Sequence, residues 1–190
     1  MTKIAIFASG EGTNAENIIR YFQEKGSAEI VMVITNRQHA GVRERTRKLG
    51  IESLYAPAAD FRNGKVLQLL QEQQIDYIIL AGFLLMVPED MLEQFPNRII
   101  NIHPALLPKH GGKGMYGHKV HEDVIAHGEQ ESGITIHYIN KEYDKGETIF
   151  QAKCPVLPED TPDTLASRVH VLEYQYFPQI IEDVILSTKQ

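Results

Sequence analysis

Two side chains in the stretch "RIINIHPALLPKH" could act together on a carbonyl group. Asn101 and His103 lie two positions apart at the end of an apolar run, so on a strand they share one face. An amide donor beside an imidazole can polarise a carbonyl and stabilise the oxyanion formed when a nucleophile attacks it. Further along, "HYINKEYDKGE" puts Asp144 in a turn after a second β-rich run. A carboxylate delivered by such a loop can pair with His103, favour its protonated form and relay a proton through water. Each residue alone has a plainer reading. A histidine near a strand end is often a satisfied structural residue, and an aspartate before Lys-Gly is ordinary turn chemistry.

A second set of residues suits an anion. "KIAIFASGEGTNAENII" runs from an apolar strand into glycines at Gly10 and Gly12 and then into a helical pattern. That order directs free backbone N–H groups at the positive end of a helix, where a phosphate binds well. The stretch fits the dinucleotide fingerprint G-x-G-x-x-A, with Ala15 in the last place. The second strand, however, ends "ITNRQ", with Asn36 and Arg37 where an acidic residue should bond the adenine ribose. NAD is therefore disfavoured, and NADP is only just allowed. No lysine follows the turn in P-loop register, and Thr13 and Asn14 add side-chain donors. A turn that needs glycine only to fit is the competing reading.

The histidines also raise the question of a metal. His118 and His121 sit three apart, with His103, His110, His127 and His137 nearby in the chain. No H-E-x-x-H or cysteine-rich spacing accompanies them, and Cys154 has no second thiol, so the reading is that no metal is used. The lone cysteine also excludes an internal disulfide.

These groups need a scaffold, and the first half supplies one by alternating apolar runs with helical patterns. "KIAIFA", "EIVMVIT", "DYIILAG" and "NRIIN" read as strands; Asn14 to Lys25, "AGVRERTRKLG" and "VLQLLQEQQ" read as helices. Such alternation implies a parallel sheet, and ligands bind such sheets beyond the carboxyl ends of the strands. Both the glycine turn and the Asn101–His103 pair belong at that edge. After the Gly- and Pro-rich "HPALLPKHGGKGMYG" a helix covers Val120 to Ala126. "GITIHYIN" and "ETIFQAKCPV" then form two β-runs joined by "KEYDKG". From Pro162 onward one amphipathic helix is expected, kinked or divided by Pro178. The fold class is α/β: a Rossmann-like, mostly parallel twisted sheet with flanking helices, an antiparallel hairpin added in the C-terminal half and a terminal helix.

At 190 residues and 43% hydrophobic content the chain suits a single domain, 1–190. A net charge of -6 argues against non-specific nucleic-acid or membrane binding, which needs a basic face. No apolar stretch reaches membrane-spanning length, and the expected compartment is the cytoplasm.

With "SGEGTN", "LAGFLLMVP", "NIHPALLP", "GITIHYINKEYDKG" and "RVHVLEYQYFP" in this order, the chain closely resembles the phosphoribosylglycinamide formyltransferase family, folate-dependent enzymes of purine synthesis. The resemblance covers nearly the whole chain. Its N-x-H-P-x-L-L-P motif with the later D-x-G is specific to the wider group that uses 10-formyltetrahydrofolate. It implies transfer of the formyl group from that co-substrate to the amine of glycinamide ribonucleotide, without a metal. The N-terminal half would bind the ribonucleotide; the C-terminal half would bind folate and carry out the chemistry. Partners are then small molecules, with neither nucleic acid nor membrane involved, and a homodimer is compatible with the resemblance.

Carried over position by position, Asn101, His103 and Asp144 match the family's catalytic trio. Gly12, Thr13 and Asn14 match its phosphate turn, and Glu173 the acid that contacts the ribonucleotide. The folate pocket corresponds to Leu84, Leu85, Met86 and Val87, to the loop of Asn140, Lys141, Glu142, Tyr143 and Asp144, to Asn101, and to Arg62. Several positions depart from the family pattern. Glu11 puts a carboxylate in the phosphate turn, so it must point away from the anion or weaken its binding. Leu84-Leu85 replaces a pair that often contains arginine, Ala105 stands where serine is common, and "KHGGKGMYG" is longer than in many relatives.

Three other functions stand beside this reading. A formyltetrahydrofolate hydrolase uses water in place of the amine, but usually follows an additional amino-terminal domain for which the start of this chain leaves no room. A methionyl-tRNA formyltransferase would need a tRNA-binding domain and a less acidic chain. The alternative from another class is an NADP-binding module without chemistry.

Overall fold

In the computed structural model, residues 1–141 and 144–188 are described. Seven strands and seven helices follow one another among them. The order is β1 (Thr2–Phe7), α1 (Thr13–Lys25), β2 (Ala28–Thr35), α2 (Val42–Lys48), β3 (Glu52–Tyr55), α3 (Ala58–Arg62), α4 (Lys65–Glu72), β4 (Tyr77–Leu80), α5 (Glu89–Gln94), β5 (Ile99–His103), α6 (His118–Ala126), β6 (Glu131–Tyr138), β7 (Thr148–Pro155) and α7 (Pro162–Ser187).

The strands hydrogen-bond in the order β3-β2-β1-β4-β5-β6-β7. β1 pairs in parallel with β2 and β4, β2 pairs in parallel with β3, and β6 pairs antiparallel with β7. The expected α/β class, with its added hairpin and terminal helix, is what forms. Residues 1–100 with 181–190 make one compact unit and residues 101–180 another.

In the first unit, β1 and β4 are apolar on both faces because helices cover a parallel sheet on both sides. Ile4, Ala5, Ile6 and Phe7 on β1, and Ile78 and Ile79 on β4, are wholly buried. Ala15, Ile18, Ile19 and Phe22 form the buried stripe of α1 at helical spacing. In the second unit the hairpin buries Ile134, Thr135, Ile136 and His137 completely. Two polar side chains in that run need partners, and both find them in the candidate site.

Three elements lack a readable signal in the sequence. β3 is a four-residue strand with only partly covered side chains, so it has no apolar run. Pro57 and Pro88 look like chain breakers but stand as the N-caps of α3 and α5, where extended backbone before the first turn suits proline. Pro178 does not divide the last helix: α7 is one span with the proline inside it. Phe177 and Ile181 on either side are fully buried, and such packing can offset the lost backbone bond.

Candidate active site

β5 extends through His103, so Asn101 and His103 both lie on the strand two positions apart, as their spacing requires. His103 is buried and Asn101 partly covered. Nε2–H of His103 donates to the backbone carbonyl of His110 at 2.8 Å, which turns Nδ1 towards Asp144, 3.6 Å from Oδ2. The other carboxylate oxygen of Asp144 lies 3.7 Å from Nε2 of His137. Asp144 therefore faces two imidazoles. Its own position is held by the N–H of Gly112, which donates to Oδ2 at 3.0 Å.

The long glycine-containing loop after β5 thus reaches both reactive groups, the histidine through the His110 carbonyl and the aspartate through the Gly112 amide. Thr135 anchors the start of that loop. Its hydroxyl donates to the carbonyl of Ala105 at 2.7 Å and accepts from the amide of Leu107 at 3.0 Å. Ala105 is wholly buried and contributes its backbone here, so serine is not required at that position.

His137 is the residue that sequence reasoning missed as part of this group. Its Nδ1–H donates to the Tyr138 carbonyl at 3.0 Å, leaving Nε2 to accept from Nδ2–H of Asn101 at 3.1 Å. Burial holds the imidazole below its ordinary pKa, outweighing the Tyr138 carbonyl and Asp144, which favour the cation. A neutral His137 with that tautomer fixes which end of the Asn101 amide faces it. The available signal was a histidine inside the apolar run "GITIHY", at the same strand parity as Thr135.

Asp144 has a positive φ of 51°, which aspartate tolerates better than most residues. The glycine of the D-x-G pattern has a steric cause. A Cβ on Gly146 would fall 1.5 Å from the Tyr138 carbonyl oxygen, so only glycine closes the loop there. Nδ2–H of Asn140 donates to the Lys145 carbonyl across the same loop, and Lys141 is exposed. Glu142 and Tyr143, also expected at the folate pocket, lie outside the described residues.

Glu173 is buried on α7 beside His170, 2.7 Å from Nδ1, and this carboxylate raises the pKa of His170. His121 on α6 is buried as well, and burial pushes its pKa down to about 4 despite the nearby Glu173 charge. Its Nδ1 has no hydrogen-bond partner among the described residues.

In the first unit, the glycine turn leads from β1 into α1, with Gly12 as N-cap at φ 77°. A Cβ on Gly12 would also come within 2.4 Å of the Val42 side chain. Glycine here is thus demanded by the fold itself, whatever the turn binds. Thr13 and Asn14 begin the helix, where the first amides have no intrahelical acceptor.

Ser9 ties the turn to its surroundings. Its hydroxyl donates to Asn36 Oδ1 at 2.6 Å and accepts from the Leu84 amide at 2.9 Å. Asn36, at the position where a dinucleotide fold wants an acid, is occupied as a strut. The Glu11 carboxylate lies against Gly41, where an added Cβ would sit 2.4 Å from Oε2, while Arg45 Nε–H donates to the Glu11 carbonyl at 2.8 Å.

Arg62 and the Leu84 to Val87 segment are brought to neighbouring places by three aromatic rings. Phe61 and Phe83 meet with centroids 5.2 Å apart, and each also packs on Phe7. Arg62 follows the first and Leu84 the second. Arg62 is exposed, as is Met86, while Val87 is buried.

A family model described as formyl transferase matches residues 2–181. This chain belongs to the formyl transferase family. It is 37% identical over 186 residues to the chloroplastic phosphoribosylglycinamide formyltransferase of Arabidopsis thaliana, a match covering 94% of this chain and 64% of that one. The chain thus spans less than two thirds of that plant relative. To the phosphoribosylglycinamide formyltransferase of Haemophilus influenzae it is 34% identical, covering 96% of this chain and 86% of that one. The crystal structure of phosphoribosylglycinamide formyltransferase from Bacillus halodurans superposes with a TM-score of 0.88 at 34% identity, over all of this chain and 97% of that one. The trio and the glycine turn both lie within the matched residues.

Proposed function

We propose that the protein transfers the formyl group of 10-formyltetrahydrofolate to the amine of glycinamide ribonucleotide, giving formylglycinamide ribonucleotide and tetrahydrofolate. The observation that carries this reading is the convergence of His103 and His137 on Asp144, with Asn101 bonded to His137, in a chain of this family. The names of the relatives supply the acceptor.

The free amine attacks the formyl carbon, forming the new C–N bond and placing negative charge on the formyl oxygen. The second Nδ2–H of Asn101 donates to that oxyanion, and the His103 ring, when protonated, supplies positive charge beside it. The ammonium then loses a proton to water held by Asp144, and the departing N10 of the folate takes one up as the old C–N bond breaks. Asp144 supports the His103 cation from 3.6 Å. The steps need neither a covalent enzyme intermediate nor a metal.

The amides at the start of α1, with Thr13 and Asn14, suit the ribonucleotide phosphate. Glu11 leaves that turn open because its carboxylate lies against Gly41. In the second unit, Glu173 suits a ribose hydroxyl, and His121 Nδ1, which has no hydrogen-bond partner among the described residues, is a further group for a ligand there. To folate contact we assign Leu84 to Val87 and Arg62 in the first unit and, separately, Asn140 and Lys141 in the second. No helix among the described residues is long and apolar enough to cross a membrane; a cytoplasmic location is part of the same proposal.

The test is purified protein with 10-formyltetrahydrofolate, with and without glycinamide ribonucleotide, followed by tetrahydrofolate release. Release that depends on the ribonucleotide supports the transferase. Release that ignores it identifies a hydrolase, and tight NADPH binding without turnover identifies a cofactor-binding module.

A further inference from the structure

Behind the loop that holds His103 and Asp144 lies a second cluster that formyl transfer does not use. His110 sets Nδ1 2.5 Å from Asp123 Oδ2 and Nε2 3.2 Å from Glu129 Oε1. Four residues on from Asp123, just past the end of α6, His127 donates Nδ1–H to the Asp123 backbone carbonyl at 2.8 Å, a bond that a metal ion would replace, and the same Nδ1 lies 3.3 Å from the other Asp123 carboxylate oxygen. The His110 and His127 rings meet edge to face with centroids 5.4 Å apart. Each of His110, Asp123 and His127 offers a ligand atom within 4.8 Å of the other two.

We propose that His110, Asp123 and His127 bind a divalent transition-metal ion of the zinc class, and that the bound ion regulates the enzyme by shifting the His110 carbonyl that holds His103. Two imidazole nitrogens and one carboxylate oxygen, with water in a fourth place, are a donor set for zinc or its neighbours. Magnesium and calcium want oxygen donors throughout.

The surroundings of the cluster point the same way. A metal-binding histidine donates its remote ring N–H to a carboxylate, which fixes the ring and leaves the near nitrogen for the ion. Glu129 stands in that position behind His110. It is itself clamped by Lys109, whose Nζ lies 2.9 and 3.1 Å from its two oxygens. Asp123 and His127 are four residues apart at the end of one helix and so project from one face.

Coupling to His103 follows from distance. Around an ion with bonds of about 2.0–2.2 Å, tetrahedral donors stand roughly 3.4 Å apart. His110 Nδ1 and Asp123 Oδ2 are 2.5 Å apart, so an ion that takes the place of their hydrogen bond must separate them. Asp123 is fixed in α6. His110 lies in the loop at a positive φ of 54°, beside Gly111, and is the partner free to move. Its carbonyl accepts from His103 Nε2–H at 2.8 Å, so the displacement reaches the reactive imidazole directly.

Zn²⁺ alone, titrated calorimetrically into metal-free protein, tests the site without any folate or ribonucleotide, so the outcome is separate from that of the formyl-transfer reading. The parent and His118→Ala, which alters another histidine–carboxylate pair on α6, should each bind one ion per chain. His127→Ala, at an exposed position, should bind at least tenfold more weakly with an unchanged melting temperature. The His103 imidazole ¹⁵N resonances should move on Zn²⁺ addition in the parent and stay in His127→Ala, and a chelator should return them. Equal affinity of the parent and His127→Ala for Zn²⁺ overturns the site. Binding that depends on His127 while the His103 resonances do not move overturns the regulation.

Discussion

His137 Nε2 accepts a hydrogen bond from Asn101 Nδ2–H at 3.1 Å, and this contact orients the amide that the proposed mechanism uses. A neutral imidazole at that place can only accept there, because its other nitrogen donates to the Tyr138 carbonyl. The amide nitrogen of Asn101 is therefore held towards His137, and its second hydrogen is left for the oxyanion.

Replacing His137 tests this orientation. His137→Phe keeps the bulk but offers no acceptor, so kcat should fall at least tenfold while the KM for either substrate changes little. His137→Gln, whose carbonyl can accept from Asn101, should recover part of the loss. Equal activity in the two variants would remove the orienting role.

The same histidine sets a pH limit. Burial lowers its pKa below the ordinary 6.5, so the neutral form persists somewhat below that pH. At lower pH the imidazolium presents an N–H to the Asn101 N–H, two donors face to face, and kcat should drop. In His137→Gln this acid limb should move or vanish, as a profile of kcat against pH would reveal.

Asp144→Asn retains the side-chain shape and a residue type that accepts a positive φ, so the loop should remain folded. It removes the charge 3.6 Å from His103 Nδ1 and 3.7 Å from His137 Nε2. We expect kcat to fall at least tenfold, corresponding to about 1.4 kcal/mol or more in the barrier, with the ribonucleotide KM within about twofold. A rise in KM alone would make Asp144 a binding residue.

The phosphate turn needs a substitution that leaves the backbone alone. Gly12→Val is a poor choice because the added Cβ strikes Val42 and the φ is left-handed. Thr13→Val removes only a hydroxyl. It should raise the KM for the ribonucleotide about five- to tenfold, as loss of one hydrogen bond implies, without changing the folate KM. Equal changes in both would argue against a phosphate site here.

Stability of the second unit should depend on Asp160. It receives two bonds from Arg168, at 2.6 and 3.0 Å, and the amide of Leu157 at 2.7 Å. The Arg168 guanidinium holds this carboxyl well below the usual carboxylate range. A lowered folded pKa means that the stabilisation is complete above the unfolded value, near 3.9, and fades as pH falls through the folded one. Asp160→Asn should therefore cost roughly 1.5–3 kcal/mol at pH 7, and the difference from the parent should shrink below about pH 4. Urea melts at both pH values measure it.

The chain's pattern reveals much of this molecule, for physical reasons that also mark where it stops. β1, β4 and the stripe of α1 are legible because burial on both faces, or on one helical face, forces uninterrupted or periodic apolar residues. β3 is half-exposed and leaves no such trace, and the prolines that cap α3 and α5 look the same in sequence as prolines that end helices. In the candidate site, Asn101 and His103 are read from strand parity alone. The parity of His137 with Thr135 marks its face, but its bond to Asn101, like that of Gly112 to Asp144, joins segments dozens of residues apart. Ser9 is equally silent: its partners, Asn36 and Leu84, come from two other strand ends.

The central claim is that the Asn101 amide stabilises the oxyanion of formyl transfer. The most direct measurement is kcat for ribonucleotide-dependent tetrahydrofolate release by Asn101→Ala, at saturating concentrations of both substrates, with the melting temperature checked against the parent. The account predicts an intact fold and a loss of roughly 2.7–4 kcal/mol in transition-state stabilisation, a hundredfold to a thousandfold in kcat. Turnover within a few-fold of the parent would contradict it.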